Sequence, residues 1–307
     1  MSLSLHRRRL LLTAGAACAA AALVPVLCRR YRDPTSSPAI TTAMASTPAT
    51  IALGDPKNFD LRAPGAGIDR QPVGMYFYER NWPMKQLGRV RYLQGRRSFD
   101  IPWVSGVMGS ADPDEPEQGI YSWHVTAFAM QEARIAHELA RDRLFSMFRD
   151  LLMVGWRPFV EVGDPRLFGA QAVRYQLQER GGVYLDASYL PTMEQWMQIN
   201  EYLPIWRFWA DGVYMSVRVV DEPALRDPAV EGVYMFSITL DSEAPHFWTY
   251  FDKVEDMHRW KELIPAEMAR VAATRPGKEA ELRRQGYVID ENYRDPPILA
   301  LGQVQGT

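Results

Sequence analysis

The sequence predicts an α+β domain, an antiparallel sheet packed against several helices, preceded by an N-terminal apolar helix and a flexible linker. Three observations predict it. Two stretches, DGVYMSVRVV at Asp211–Val220 and EGVYMFSITL at Glu231–Leu240, nearly repeat each other and read as strands. After residue 130 the hydrophobic period becomes helical, with Ile135, Leu139, Leu144, Phe148, Leu151 and Leu152 on one stripe. Ahead of both lies Leu10–Leu27, a run without a single charge, behind the basic start HRRR.

A basic start followed by an apolar run is an export signal or a membrane anchor. Eighteen residues just reach the length of a spanning helix. RRRLLL also has the form of a twin-arginine export signal. Arg29, Arg30 and Arg32 directly after the run favour an uncleaved anchor, and the Ala-Met-Ala at Ala43–Ala45 lies far downstream of the usual cleavage position. Both cysteines, Cys18 and Cys28, fall inside residues 1–32, so the remainder can hold neither a disulfide nor a thiolate metal site. Residues 33–70 are rich in Pro, Ser, Thr and Ala and read as a linker, leaving 71–307 as one folded domain.

Within that domain, Pro72–Arg80 is aromatic and β-prone, and Gly88–Gly95 alternates well enough to pair with it. Gly109–Gly119 is a polar loop and Ile120–Ala129 the next strand. The long helix stops at Gly155, and RPFVEVG is a short strand. A second helix over RLFGAQAVRYQLQERGG ends at Gly181–Gly182, and a third starts at Pro191–Thr192. DEPALRDPAV, with two prolines and four charges, is a loop, so the two near-repeats are adjacent antiparallel strands. Val213, Met215, Val217 and Val219 share one face, as do Tyr234, Phe236, Ile238 and Leu240. A later helix brings Trp260 and Ile264 to the sheet, and Pro265 should kink or split it. Pro296–Pro297 forbid regular pairing in the tail.

The charge balance limits the partners. The chain's net −2 hides six arginines and no acid in residues 1–32; the rest carries 29 Lys+Arg against 37 Asp+Glu, a net of −8. Such a domain lacks the basic face that nucleic acid requires.

Catalytic patterns fail on inspection. His137-Glu138 has the first half of a zinc-protease motif, but Arg141 stands where the second histidine belongs. Asp112–Gly119 gathers acids, yet Glu117 occupies the position where a calcium loop needs glycine. There is no Gly-x-Ser-x-Gly elbow and no phosphate loop. Asp211 and Glu231 could meet at the strand entrances, as the carboxylates of a retaining glycosidase do at about 5 Å. No cofactor and no metal are expected, nor enzymatic activity. The nine tryptophans stand out, above all Trp206 and Trp209 in WRFWAD, where alternation would leave one aromatic set outside the core. The expected contact surface is therefore the acidic loop, Asp112, Asp114, Glu115 and Glu117, with Trp206, Trp209 and Asp211.

The string LPTMEQWMQI…IWRFWADGVYMSVRVVDEP…EGVYMFSITL…RWKELIPAEMARVAATRPGKEAELRRQGYVIDENYRDPP, within residues 120–297, resembles uncharacterised proteobacterial envelope proteins often found beside type VI secretion effectors and taken to be immunity proteins. The resemblance implies an exported inhibitor, and the apolar run at residues 10–27 would tether it to the inner membrane unless signal cleavage releases it. In the periplasm it would bind and block a toxin, for example a phospholipase. The alternatives are a structural or assembly factor of the envelope and, third, a hydrolase.

Overall fold

The computed structural model describes residues 48–72 and 74–302; the apolar run Leu10–Leu27 and the first part of the expected linker lie outside the described residues. No helix among the described residues is long and apolar enough to cross a membrane.

Ten strands form one sheet: β1 (Ala49–Ile51), β2 (Ala66–Arg70), β3 (Tyr76–Asn81), β4 (Gly88–Tyr92), β5 (Phe99–Ala111), β6 (Ile120–Phe128), β7 (Arg157–Pro158), β8 (Ile205–Ala210), β9 (Val213–Asp221) and β10 (Tyr234–Asp241). Their order is β1-β4-β5-β6-β10-β9-β8-β7, with the β2–β3 hairpin attached to β5. All pairs are antiparallel except β1 with β4. The helices are α1 (His137–Met153), α2 (Gly169–Glu179), α3 (Met193–Asn200), α4 (Glu243–Trp248), α5 (Val254–His258), α6 (Trp260–Ala272), α7 (Arg275–Arg284) and α8 (Leu299–Gly302).

The near-repeats are neighbours, as alternation predicts. Phe236 pairs with Val219, Ile238 with Val217 and Leu240 with Met215, all buried on the face that α1 and α3 cover. There Trp206 contacts Phe145 and Phe148 of α1 and stacks on Trp196 of α3. The two acid-Gly pairs do different jobs. Asp211 and Gly212 form a two-residue hairpin turn with φ of 45° and 80°, the left-handed pair that suits Asp-Gly. Gly232 instead bridges to Ile135, where a Cβ would meet the His137 ring at 2.8 Å.

Several expectations are corrected. Residues 49–70 are not linker: β1 and β2 lie there, with Ile51 fully buried. β3 and β4 do not pair with each other. Both pair with β5, β4 along Phe99–Val104 and β3 along Gly106–Ala111, and the register shift between Val104 and Gly106 lets one strand serve both. The C-cap of α2 is Arg180, left-handed at φ 55°, one residue before the expected glycines. The helix expected to break at Pro265 runs through it, and the interruption falls at Arg259, between α5 and α6. Thr192 does start α3, closing a capping box with Gln195.

The second face of the sheet is covered only in part. At one end α4 and α6 close over Phe159, Trp209, Tyr214, Phe247, Trp260 and Ile264. At the other, Leu87 packs on Phe128 and Met235. Between them runs a half-buried polar strip that includes Ser122, His124, Thr126, Ser216 and Thr239.

Candidate functional site

The loop Asp112–Gly119 is held by its own chain. Asp112 accepts from the Asp114 amide through Oδ1 at 2.9 Å and from the Glu115 amide through its carbonyl at 3.1 Å, and Pro116–Gln118 makes one 3-10 turn. The bridge between Gly54 and Ile120 ties the loop's end to the body. Gly119 there sits at φ 57° with the Gly54 carbonyl against it, a place only glycine can occupy. The loop thereby projects toward α5, where Glu115 Oε1 lies 2.6 Å from His258 Nδ1.

That contact forms one wall of a groove of about 740 Å³. Glu115 and Glu117 line it from the loop, Asp211 and Gly212 from the hairpin turn, and Glu243 from α4. Trp248, Trp260 and Lys261 complete it, with Leu299 and Ala300 of α8. Three of the expected contact residues, Glu115, Glu117 and Asp211, thus converge from segments about a hundred residues apart in the chain. Asp112 and Asp114 belong to the same loop but lie outside the groove lining.

Most groove carboxylates already have partners. Asp211 pairs with Arg97 Nε at 3.2 Å, and exposed Glu262 with Arg259 at 2.7 Å. The buried Glu243 accepts from the amides of Leu299 and Ala300 at 2.6 Å each, capping α8 from another helix. Burial raises the pKa of Glu243, and those two amides and Lys261 oppose the shift. Glu117 is exposed and forms no ion pair with any described residue. The groove therefore offers one free carboxylate within a rim of paired charge.

The tryptophans singled out from the sequence do not belong to this surface. Trp206 and Trp209 lie on opposite faces of β8, and both are core, 1% and 9% exposed. The aromatic set expected to stay outside is covered by α4 and α6, because the sheet has helices on both faces. The aromatic surface of the groove is the half-buried Trp248 instead; Trp260 also lines it but is 5% exposed and belongs to the same core as Trp209. Trp248 ends the short helix α4, whose Pro245 sits in the first turn, where proline is tolerated, and no pattern in the sequence singled it out.

Asp211 and Glu231 do not form a carboxylate pair. In the antiparallel register Tyr234 faces Asp221 and Asp241 faces Tyr214, which puts the two acid-Gly pairs at opposite ends of the strands. His137 is structural: Nδ1 is 2.6 Å from the Tyr234 hydroxyl and Nε2 3.0 Å from the Asp227 carbonyl. On the polar strip Ser122, His124 and Asp241 come together, but not as a catalytic relay. Ser122 donates directly to Asp241 at 2.5 Å, and His124 Nδ1 faces Thr239 Oγ1 at 3.4 Å. Burial lowers the His124 pKa, which disfavours its charged form. Among the described residues no three His, Cys, Asp or Glu side chains are grouped to hold a metal ion.

Comparison with protein-family models, with curated proteins and with solved structures returns no match for this chain.

Proposed function

We propose that this protein works by binding another protein, as an exported, membrane-tethered immunity protein that neutralises a type VI secretion toxin, such as a phospholipase, in the periplasm. The observation that carries this reading is the convergence of Glu115, Glu117 and Asp211 on one groove with the half-buried Trp248 in its wall. Aromatic wall and acidic rim is the arrangement of a protein contact: the rim steers a basic partner and the desolvated ring surface holds it. The net −8 of the chain after residue 32 acts in the same direction over longer range.

The test is protection. The reading expects a toxin gene beside this one, and cells expressing that toxin in the periplasm should survive only when the protein is co-expressed. Glu117→Lys should slow association with that toxin, on the order of tenfold at low salt, with the melting temperature unchanged. No protection by the wild-type protein, or undiminished association by a folded Glu117→Lys, overturns the reading.

A further inference from the structure

A separate cavity of about 290 Å³, which shares no lining residue with the groove, is also walled in part by α4. Its walls are apolar: Phe159, Val162, Phe247 and Met268, with Pro296 and Ile298 of the tail. A dry engineered cavity of about 150 Å³ is enough to take benzene, so this one has room for a substituted ring.

Two polar side chains interrupt the apolar lining. The Tyr214 and His246 rings lie parallel, 3.6 Å apart and 2° from coplanar, and both line the cavity. Among the described residues neither His246 ring nitrogen nor the Tyr214 hydroxyl has a hydrogen-bond partner. Tyr250 differs, since its hydroxyl donates to Glu161 Oε2 at 2.9 Å. His246 is half-buried, and an imidazole and a phenol that no protein group uses stand side by side in an otherwise apolar cavity, the arrangement of convergent polar groups that fixes a ligand.

The charge of the site narrows the ligand. Burial, and secondarily Arg207, push the His246 pKa down to about 3, so the ring is neutral near pH 7. Asp295 at the cavity wall is held by Arg275 through two bonds of 2.7 and 2.8 Å. No uncompensated charge remains to attract an ion.

We infer that this cavity is a binding site for a small neutral aromatic molecule carrying one hydroxyl, its ring among Phe159, Phe247 and Met268 and its hydroxyl on His246 and Tyr214. A hydroxyl both donates and accepts, so it can bond one nitrogen of the neutral imidazole and the Tyr214 hydroxyl at once.

Phenol, toluene and benzoate separate the components of this inference. Titrated calorimetrically into the whole protein, phenol should bind about five- to tenfold more tightly than toluene, the worth of one neutral hydrogen bond. Benzoate should not bind. His246→Phe keeps the stacked ring and removes the nitrogens, so phenol and toluene should become equal. Ala272→Phe places a ring in the cavity and should abolish binding of both. Imidazole nitrogen shifts of His246 in the wild-type protein, followed by NMR during the phenol titration, give a readout independent of either variant folding. Absent binding, equal affinity for phenol and toluene in the wild-type protein, or a phenol titration that leaves the His246 nitrogens unmoved would overturn the inference.

Discussion

Replacing Asp241 by Asn should make the protein more stable at neutral pH and leave it unchanged in acid. Asp241 ends β10, opposite Ser122 on one side and Tyr214 on the other, and accepts the Ser122 hydroxyl at 2.5 Å. Burial pushes its carboxyl from 3.8 up to about 6, and the Ser122 bond only partly opposes this. The fold thus favours the protonated form. For a group with a raised folded pKa, the stabilisation is fully present below the unfolded value and is lost as pH rises through the folded one. The shift of about two units corresponds to about 3 kcal/mol between the extremes, an upper value for a side chain that is not fully enclosed. Asn keeps the shape and the acceptor for Ser122 but has no charge to desolvate. Urea denaturation followed by tryptophan fluorescence, from below pH 3.8 to well above 6, should show the variant ahead by up to about 3 kcal/mol at neutral pH. The two curves should converge in acid. A variant less stable at neutral pH, or a gap that does not change with pH, would refute the claim that burial of this carboxylate is costly.

Two further outcomes follow from buried side chains. Trp209→Ala should cost about 3–5 kcal/mol in urea denaturation, since Trp209 packs in the layer with Trp260 and Phe247 and is 9% exposed. Glu279→Gln should cost about 3–5 kcal/mol at neutral pH, because Arg166 donates to both carboxylate oxygens at 2.8 Å and the glutamate is 3% exposed. The bonds from Arg166 outweigh burial and hold the Glu279 pKa below 4.5, so its contribution is present above that value and fades as pH falls through the depressed one. The gap between wild type and Glu279→Gln should therefore narrow in acid.

The parts of the fold legible in the sequence are those where local pattern and tertiary environment agree. β9 and β10 alternate cleanly because one face is core, and Thr192 caps α3 as its type suggests. β5 was illegible because Pro102, Gly106 and Gly109 interrupt its thirteen residues, and the strand tolerates them only by bulging between two outer partners. β1 and β2 hide in a stretch whose composition reads as linker, since a short edge strand needs little hydrophobic signal. At the candidate site the acidic loop was visible as a run of charge. Its meeting with Asp211 was not, because no local rule joins residues 115 and 211. The tryptophans misled for a definable reason: alternation along β8 shows that two aromatic sets face opposite ways, but not whether a helix covers the second face.

That second face explains where the unassigned chemistry collects. The face under α1 and α3 is almost wholly apolar, and the hydroxyl of Tyr234 buried there is bonded to His137 and Trp196. The other face carries Arg207, Ser216, Thr239, His124 and Ser122 across four strands, and helices cover only one end of it. Apolar and polar surface therefore meet at the cover formed by α4, α6 and the tail. Both candidate sites lie along that cover, the groove against Ser242–Ala244 and the cavity against His246 and Phe247. The tail serves both, with Ile298 in the cavity wall and Leu299 and Ala300 in the groove, bonded to Glu243. On this face Trp209 Nε1 and Arg207 Nη1 are buried without a partner among the described residues, and the Tyr214 and His246 rings stack at the cavity wall.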